Sequence, residues 1–226
     1  MNLHFFELRQ RLIYCIFFLF SIFSVFFFYS DIIYDLFSIP IKNQLPNDSS
    51  IIATQITSTF LVPFKLALNL SLILSIPYII FNIWFFVSPG LYNYEKIAIF
   101  PFIIFSIFLF LFGLFFSFYI ICPLALNFFM TCSPSNVMIM ISLSNYMDFM
   151  FTIMLASGFS FQIPIVIFSI VKFDIISKEK LSEKRSYVFI SSFILGMLLT
   201  PPDVVSQILL AIPIWLLFEI GLFFSK

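Results

Sequence analysis

Two carboxylates in this chain stand where their spacing could do chemistry. The first is Glu7, in the stretch "HFFELRQRL" that runs from His4 to Leu12. On a helix, His4, Glu7 and Arg11 share one face through their i, i+3 and i+7 spacing. One reading is a charged flank that anchors the apolar run behind it; the other is a carboxylate displayed at a surface. The second is Glu95, in the short segment "SPGLYNYEK", where few other charges occur and Lys96 is the obvious local partner. Carboxylates bind guanidinium groups through two parallel hydrogen bonds, which an ammonium group cannot reproduce.

The other candidates are polar groups in apolar surroundings. Gln162 falls within "SGFSFQIPIVIF" with no adjacent charge, and either interhelical hydrogen bonding or transport chemistry would suit it. Near the C-terminus, "LLTPPDVVSQILLAIP" sets Thr200, Pro201, Pro202, Asp203 and Gln207 into an otherwise greasy run. The three cysteines and one histidine do not have the usual spacing of a Cys/His metal cluster. A bridge between Cys122 and Cys132 is chemically open, but nothing in the sequence requires it. There is no phosphate-cradling glycine loop, nucleophile elbow or HExxH, so no catalytic residue, cofactor or metal site is expected.

The elements that must position these groups follow from composition. Of 226 residues, 62% are hydrophobic and only 10% charged, with mean hydropathy +1.13. Soluble domains carry about a quarter charged residues, and a helix of about 20 apolar residues crosses a bilayer. The chain reads as an all-α integral membrane protein and one membrane domain over 1–226. The N-terminal run is too long and too aromatic for a cleavable signal, and no small-residue cleavage site follows it. Six spans are expected, at about 12–29, 65–87, 97–121, 149–171, 187–199 and 204–223. The segment from Cys122 to about Asn145 is read as a loop, and Pro77 should kink the second span.

The TPPD corner divides a run that would otherwise form one overlong helix. Tyr187–Leu199 is 13 residues, about 20 Å of helix against a hydrocarbon core of about 30 Å. Two short helices joined at the corner would carry Asp203 to water. Lys and Arg set the orientation. With the N-terminus inside, nine of the eleven fall on the cytoplasmic side, leaving Lys42 outside and Lys65 at the membrane edge. Both termini are expected in the cytoplasm.

Together these landmarks resemble the TatC family, the multi-spanning receptor subunit of the twin-arginine protein translocase. "HFFELRQRL" is similar to the family's N-terminal signature, and "FVSPGLYNYEK" to its first cytoplasmic loop. "GFSFQIPI" resembles its fourth span, and "LLTPPDVVSQILLAIPIWLLFEIG" its final hairpin. The resemblance implies a cupped bundle of six helices with the last two short. It implies recognition of signal peptides bearing two arginines, and export of folded proteins driven by proton-motive force. TatA-like and TatB-like single-span subunits in an oligomeric complex are the implied partners, with the lipid bilayer around them and no nucleic acid. The implied location is a bacterial-type inner (cytoplasmic) membrane, with an organellar membrane as the alternative.

Carried over by position, the resemblance gives signal-peptide binding to Glu7, Arg9, Phe86, Pro89 and Glu95. It gives partner-helix docking to Met197, Thr200 and Gln207. Pro40, Pro201, Pro202 and Asp203 become loop and hinge residues. Many relatives have a glutamate where this chain has Gln162, and a glutamine cannot titrate. A secondary transporter of a small solute is the rival reading; it would need repeat-related halves and discontinuous helices around a midplane site. A purely structural membrane subunit is the other.

Overall fold

In the computed structural model, residues 2–42, 44, 50–52, 57–90, 92–132, 140–173, 176–199 and 204–225 are described, without the side chains of 2–5, 50, 51, 58, 59, 93–95, 98 and 199. Thr200, Pro201, Pro202 and Asp203 lie outside the described residues. Ten α-helices are present among the described residues: α1 Asn2–Phe28, α2 Ser30–Lys42, α3 Ser58–Val87, α4 Asn93–Phe116, α5 Cys122–Thr131, α6 Leu143–Ser160, α7 Ile163–Lys172, α8 Lys178–Glu183, α9 Arg185–Leu199 and α10 Val204–Phe224. Five helical stretches are long and apolar enough to cross a membrane; within α9, Arg185–Leu198 is a sixth and shorter apolar stretch.

Contacts group the helices into two compact units. The first comprises Met1–Ile39 and Ala53–Ile107, the second Pro40–Ile52 and Phe108–Lys226. In the first unit α1 packs along α3. Phe23 meets Phe64 edge-on at 5.4 Å, Phe18 stacks on Tyr78 at 4.1 Å, and Arg11 lies 6.0 Å from the Phe85 ring. As one number falls the other rises, so the two helices are antiparallel.

In the second unit α10 is the central helix. Leu210 and Ile214 pack with Ala156 of α6, while Phe218 and Leu222 pack with Ile167 of α7. Glycine allows backbones to approach where no aqueous hydrophobic effect drives helices together. A Cβ on Gly221 of α10 would stand 2.9 Å from Pro164 Cα, and one on Gly158 of α6 would stand 2.8 Å from the Phe110 ring. Across the same contact, Ser157 Oγ donates to Gly113 O at 2.9 Å.

Three features depart from the sequence reading. The helix of the third span does not end at Cys122: a π-turn over Ser117–Ile121 leads directly into α5, which runs to Thr131. Pro123 stands in the first turn of α5. A proline within a helix removes one N–H and clashes with the carbonyl four residues back; the widened π-turn lies just where that clash would fall. The fourth span is broken at Phe161–Gln162, between α6 and α7, with Pro164 in the opening turn of α7. Finally, β1 (Ser50–Ile52) and β2 (Met140–Ser142) pair in parallel, Ser50 with Met140 and Ile52 with Ser142. Three-residue strands leave no alternation to read.

Candidate functional site at the α1–α3 end

Because α1 and α3 are antiparallel, the Glu7 end of α1 lies at the C-terminal end of α3. Glu7 is one helical turn before Arg11, and the spacing closes an ion pair. Arg11 donates to Glu7 Oε1 from Nη2 at 2.6 Å and from Nε at 3.1 Å. Both partners remain accessible, the Arg11 side chain 25% and the Glu7 side chain 37% exposed. Arg9 points elsewhere on the same helix, its guanidinium 4.9 Å over the Phe6 ring. Facing Arg11 stand Phe85 and the half-buried Phe86, in the last turn of α3.

Beyond Val87 the chain turns through a short 3-10 segment, Ser88–Gly90, with Pro89 exposed. Helix α4 then begins at Asn93, which places Glu95 in its first turn. The Glu95 side chain lies outside the described residues. A helix N-terminus favours a carboxylate, since its first backbone N–H groups carry partial positive charge.

Beneath the ion pair runs an apolar groove of about 270 Å³ between α1 and α3. Leu8, Leu12 and Ile16 form one wall, and Ile79, Ile83 and Phe86 the other. Arg11 and Asn82 supply its polar groups, and Asn82 Nδ2 is tied to Tyr78 O at 2.9 Å. Cys15, the one small side chain of this α1 face, leaves the room. The arrangement offers a carboxylate that already holds one guanidinium, at the mouth of a slot suited to an apolar segment. Sequence reasoning named both carboxylates but neither Asn82 nor the apolar walls of the groove; a small residue on α1 and a lone amide in the second span were the available signals.

The remaining candidates lie elsewhere. Pro40 is buried within α2. Gln162 is the half-buried residue before α7, and its carbonyl accepts from the N–H groups of Ile165 and Val166 at 3.1 and 3.0 Å. Met197 is 57% exposed on α9. Gln207 turns inward: its Nε2 donates to Phe193 O at 2.9 Å, tying α10 to α9. All three cysteines are free thiols, Cys122 buried and Cys132 exposed.

The family described as "Sec-independent protein translocase protein (TatC)" matches residues 3–213. The chain is 42% identical over 223 residues to the Sec-independent protein translocase protein TatC of Escherichia coli (strain K12), covering 99% of this chain and 86% of that one. It is 40% identical over 222 residues to the protein of that name from Azotobacter chroococcum mcd 1, covering 98% and 87%. The solved structure "Crystal Structure of Twin Arginine Translocase Receptor- TatC in DDM" matches with a TM-score of 0.86 at 32% identity, covering 99% of both chains.

Proposed function

The chain belongs to the TatC family of Sec-independent protein translocase proteins, and on that premise we propose that the α1–α3 end of its first unit receives twin-arginine signal peptides. The protein is a multi-pass membrane protein and the receptor subunit of the twin-arginine translocase. One observation carries the site reading: antiparallel packing brings Glu7 to the Phe86 end of α3, and only a short turn separates that end from Glu95.

The mechanism follows from charge and shape. A guanidinium binds a carboxylate bidentately, so Glu7 and Glu95 together select two arginines. Arg11 holds Glu7 before the signal arrives, and an incoming arginine competes for the same Oε1. Phe86 and Pro89 border the entry, and the groove beneath takes the apolar part of the signal. This end faces the cytoplasm of a bacterial-type inner membrane, where most of the Lys and Arg residues gather. Export of folded precursors is driven by proton-motive force. Single-span TatA-like and TatB-like subunits dock on the α9–α10 hairpin around Met197, Thr200 and Gln207.

The test is site-specific crosslinking of a labelled twin-arginine precursor. Glu95→Ala should weaken crosslinking about tenfold to a hundredfold, as loss of a charged hydrogen bond of about 1.5–3 kcal/mol implies, and adding Glu7→Ala should weaken it further. Normal crosslinking in the double variant at normal protein level would rule out the site.

A further inference from the structure

A second site lies at the opposite end of the sequence, where α8, the start of α9 and the end of α10 meet. A cavity of about 430 Å³ opens there between Lys178, Ser182 and Arg185 on one side and Leu216, Ile220 and Phe223 on the other. Its cations are fixed in place by the fold. Lys178 Nζ donates to Ser225 O at 2.6 Å. Arg185 Nε lies 3.2 Å from Glu219 Oε1, yet the Arg185 side chain stays 54% exposed. A guanidinium has five N–H donors, so an arginine anchored through Nε still presents others outward.

The apolar wall has a direction. Leu216, Ile220 and Phe223 follow one another at i, i+4 and i+7, which places them on one face of α10. They are 47%, 45% and 79% exposed. Next on the same face is Ile212, also 47% exposed, so the stripe leaves the cations and runs along a helix that crosses the membrane. An anchored cation pair and a serine lining the same cavity, at the end of an apolar track, match a molecule with an anionic head and apolar tails.

We propose that this corner binds an anionic phospholipid, its phosphate between Lys178, Ser182 and Arg185 and its acyl chain along Leu216 and Ile220. Charge complementarity selects the occupant. The three charged residues of the cavity carry two positive charges against one negative, and a phosphodiester accepts hydrogen bonds from all three donors. Leu181 and Val188 pack against the buried Phe218 and Leu222, so the pocket's floor is part of the core.

The test uses the full chain purified in detergent and transferred to nanodiscs of phosphatidylcholine alone, or of phosphatidylcholine and phosphatidylglycerol in equal parts. Retained lipid is identified by native mass spectrometry, and thermal stability is measured in parallel. The wild type should retain phosphatidylglycerol in preference to phosphatidylcholine and be more stable in its presence. Lys178→Gln should lower that retention about tenfold. Lys178 also holds Ser225, so Ser182→Glu serves as a second variant that places a like charge against the phosphate. Lys172→Gln, outside the cavity, should leave retention unchanged. Equal retention of the two lipids, or full retention of phosphatidylglycerol in Ser182→Glu, overturns the proposal. So does equal stabilisation by inorganic phosphate, which would make the site one for a free ion.

Discussion

On the proposed reading Glu7 serves two purposes that can be separated by measurement. As the partner of Arg11 in an accessible i, i+4 pair, it contributes only about 0.3–0.5 kcal/mol to folding. As a receptor for an incoming guanidinium it would contribute several times more. Glu7→Gln should therefore leave thermal unfolding in detergent nearly unchanged while weakening precursor crosslinking about tenfold. A parallel loss of both would mean that the residue is only structural. The Gln207 amide shows the converse: the resemblance assigns it to partner docking, and within the fold its Nε2 already donates to Phe193 O. Gln207→Leu should loosen the α9–α10 hairpin by about 0.5–1.5 kcal/mol, read as a lower unfolding temperature.

Among the elements, the α7–α10 contact is the least forgiving. In Gly221→Ala the new methyl meets Pro164 Cα, a backbone atom with no rotamer to yield, and Ile167 Cδ1 at 3.0 Å. Overpacking of this kind costs about 1–3 kcal/mol. Gly90→Ala, with nothing within 4 Å, should be close to neutral in the same unfolding assay. At the α6–α7 break, Gln162→Glu should preserve export, whereas Gln162→Leu should slow it more than it lowers stability. Normal export by the Leu variant would reduce Gln162 to a packing residue. How far these elements could be read in the sequence depended on contrast with water. The final hairpin was legible because its corner is polar against apolar flanks: α9 and α10 run over Arg185–Leu199 and Val204–Phe224. The α6–α7 break has apolar residues on both sides, so hydropathy passes over it. The extension into α5 was hidden by Pro123, whose usual meaning as a stop is cancelled by the π-turn before it. Glu7 was visible through helical spacing and Glu95 through its short polar turn, but the groove beside Arg11 depends on which α1 face meets α3, and a one-dimensional pattern does not fix that.

At the scale of the molecule, the mismatch between helix length and bilayer matters most. Fifteen residues of α9 give about 22 Å of helix, short of a hydrocarbon core of about 30 Å. Lipid beside it must thin, or a neighbouring helix must cover it. The exposed Met197 is on this helix, while Phe115, 61% exposed, is on α4. Cysteine at Met197 should crosslink to a single-span partner in membranes, and cysteine at Phe115 should not. Equal yields would exclude the hairpin as the docking face.

The small β1–β2 pair bears on the order in which the protein can be made. Ser50 joins Met140, roughly 90 residues later in the chain. At a synthesis rate of about 5–20 residues per second, the first strand waits roughly 5–20 s for its partner. Through that interval its N–H and C=O groups have only water or a temporary companion. The two strands can pair only after three spans have been made, α1, α3 and α4 with its continuation into α5. A chain arrested before Met140 should be cut by an added protease near Ser50, and a chain released after β2 should resist it there.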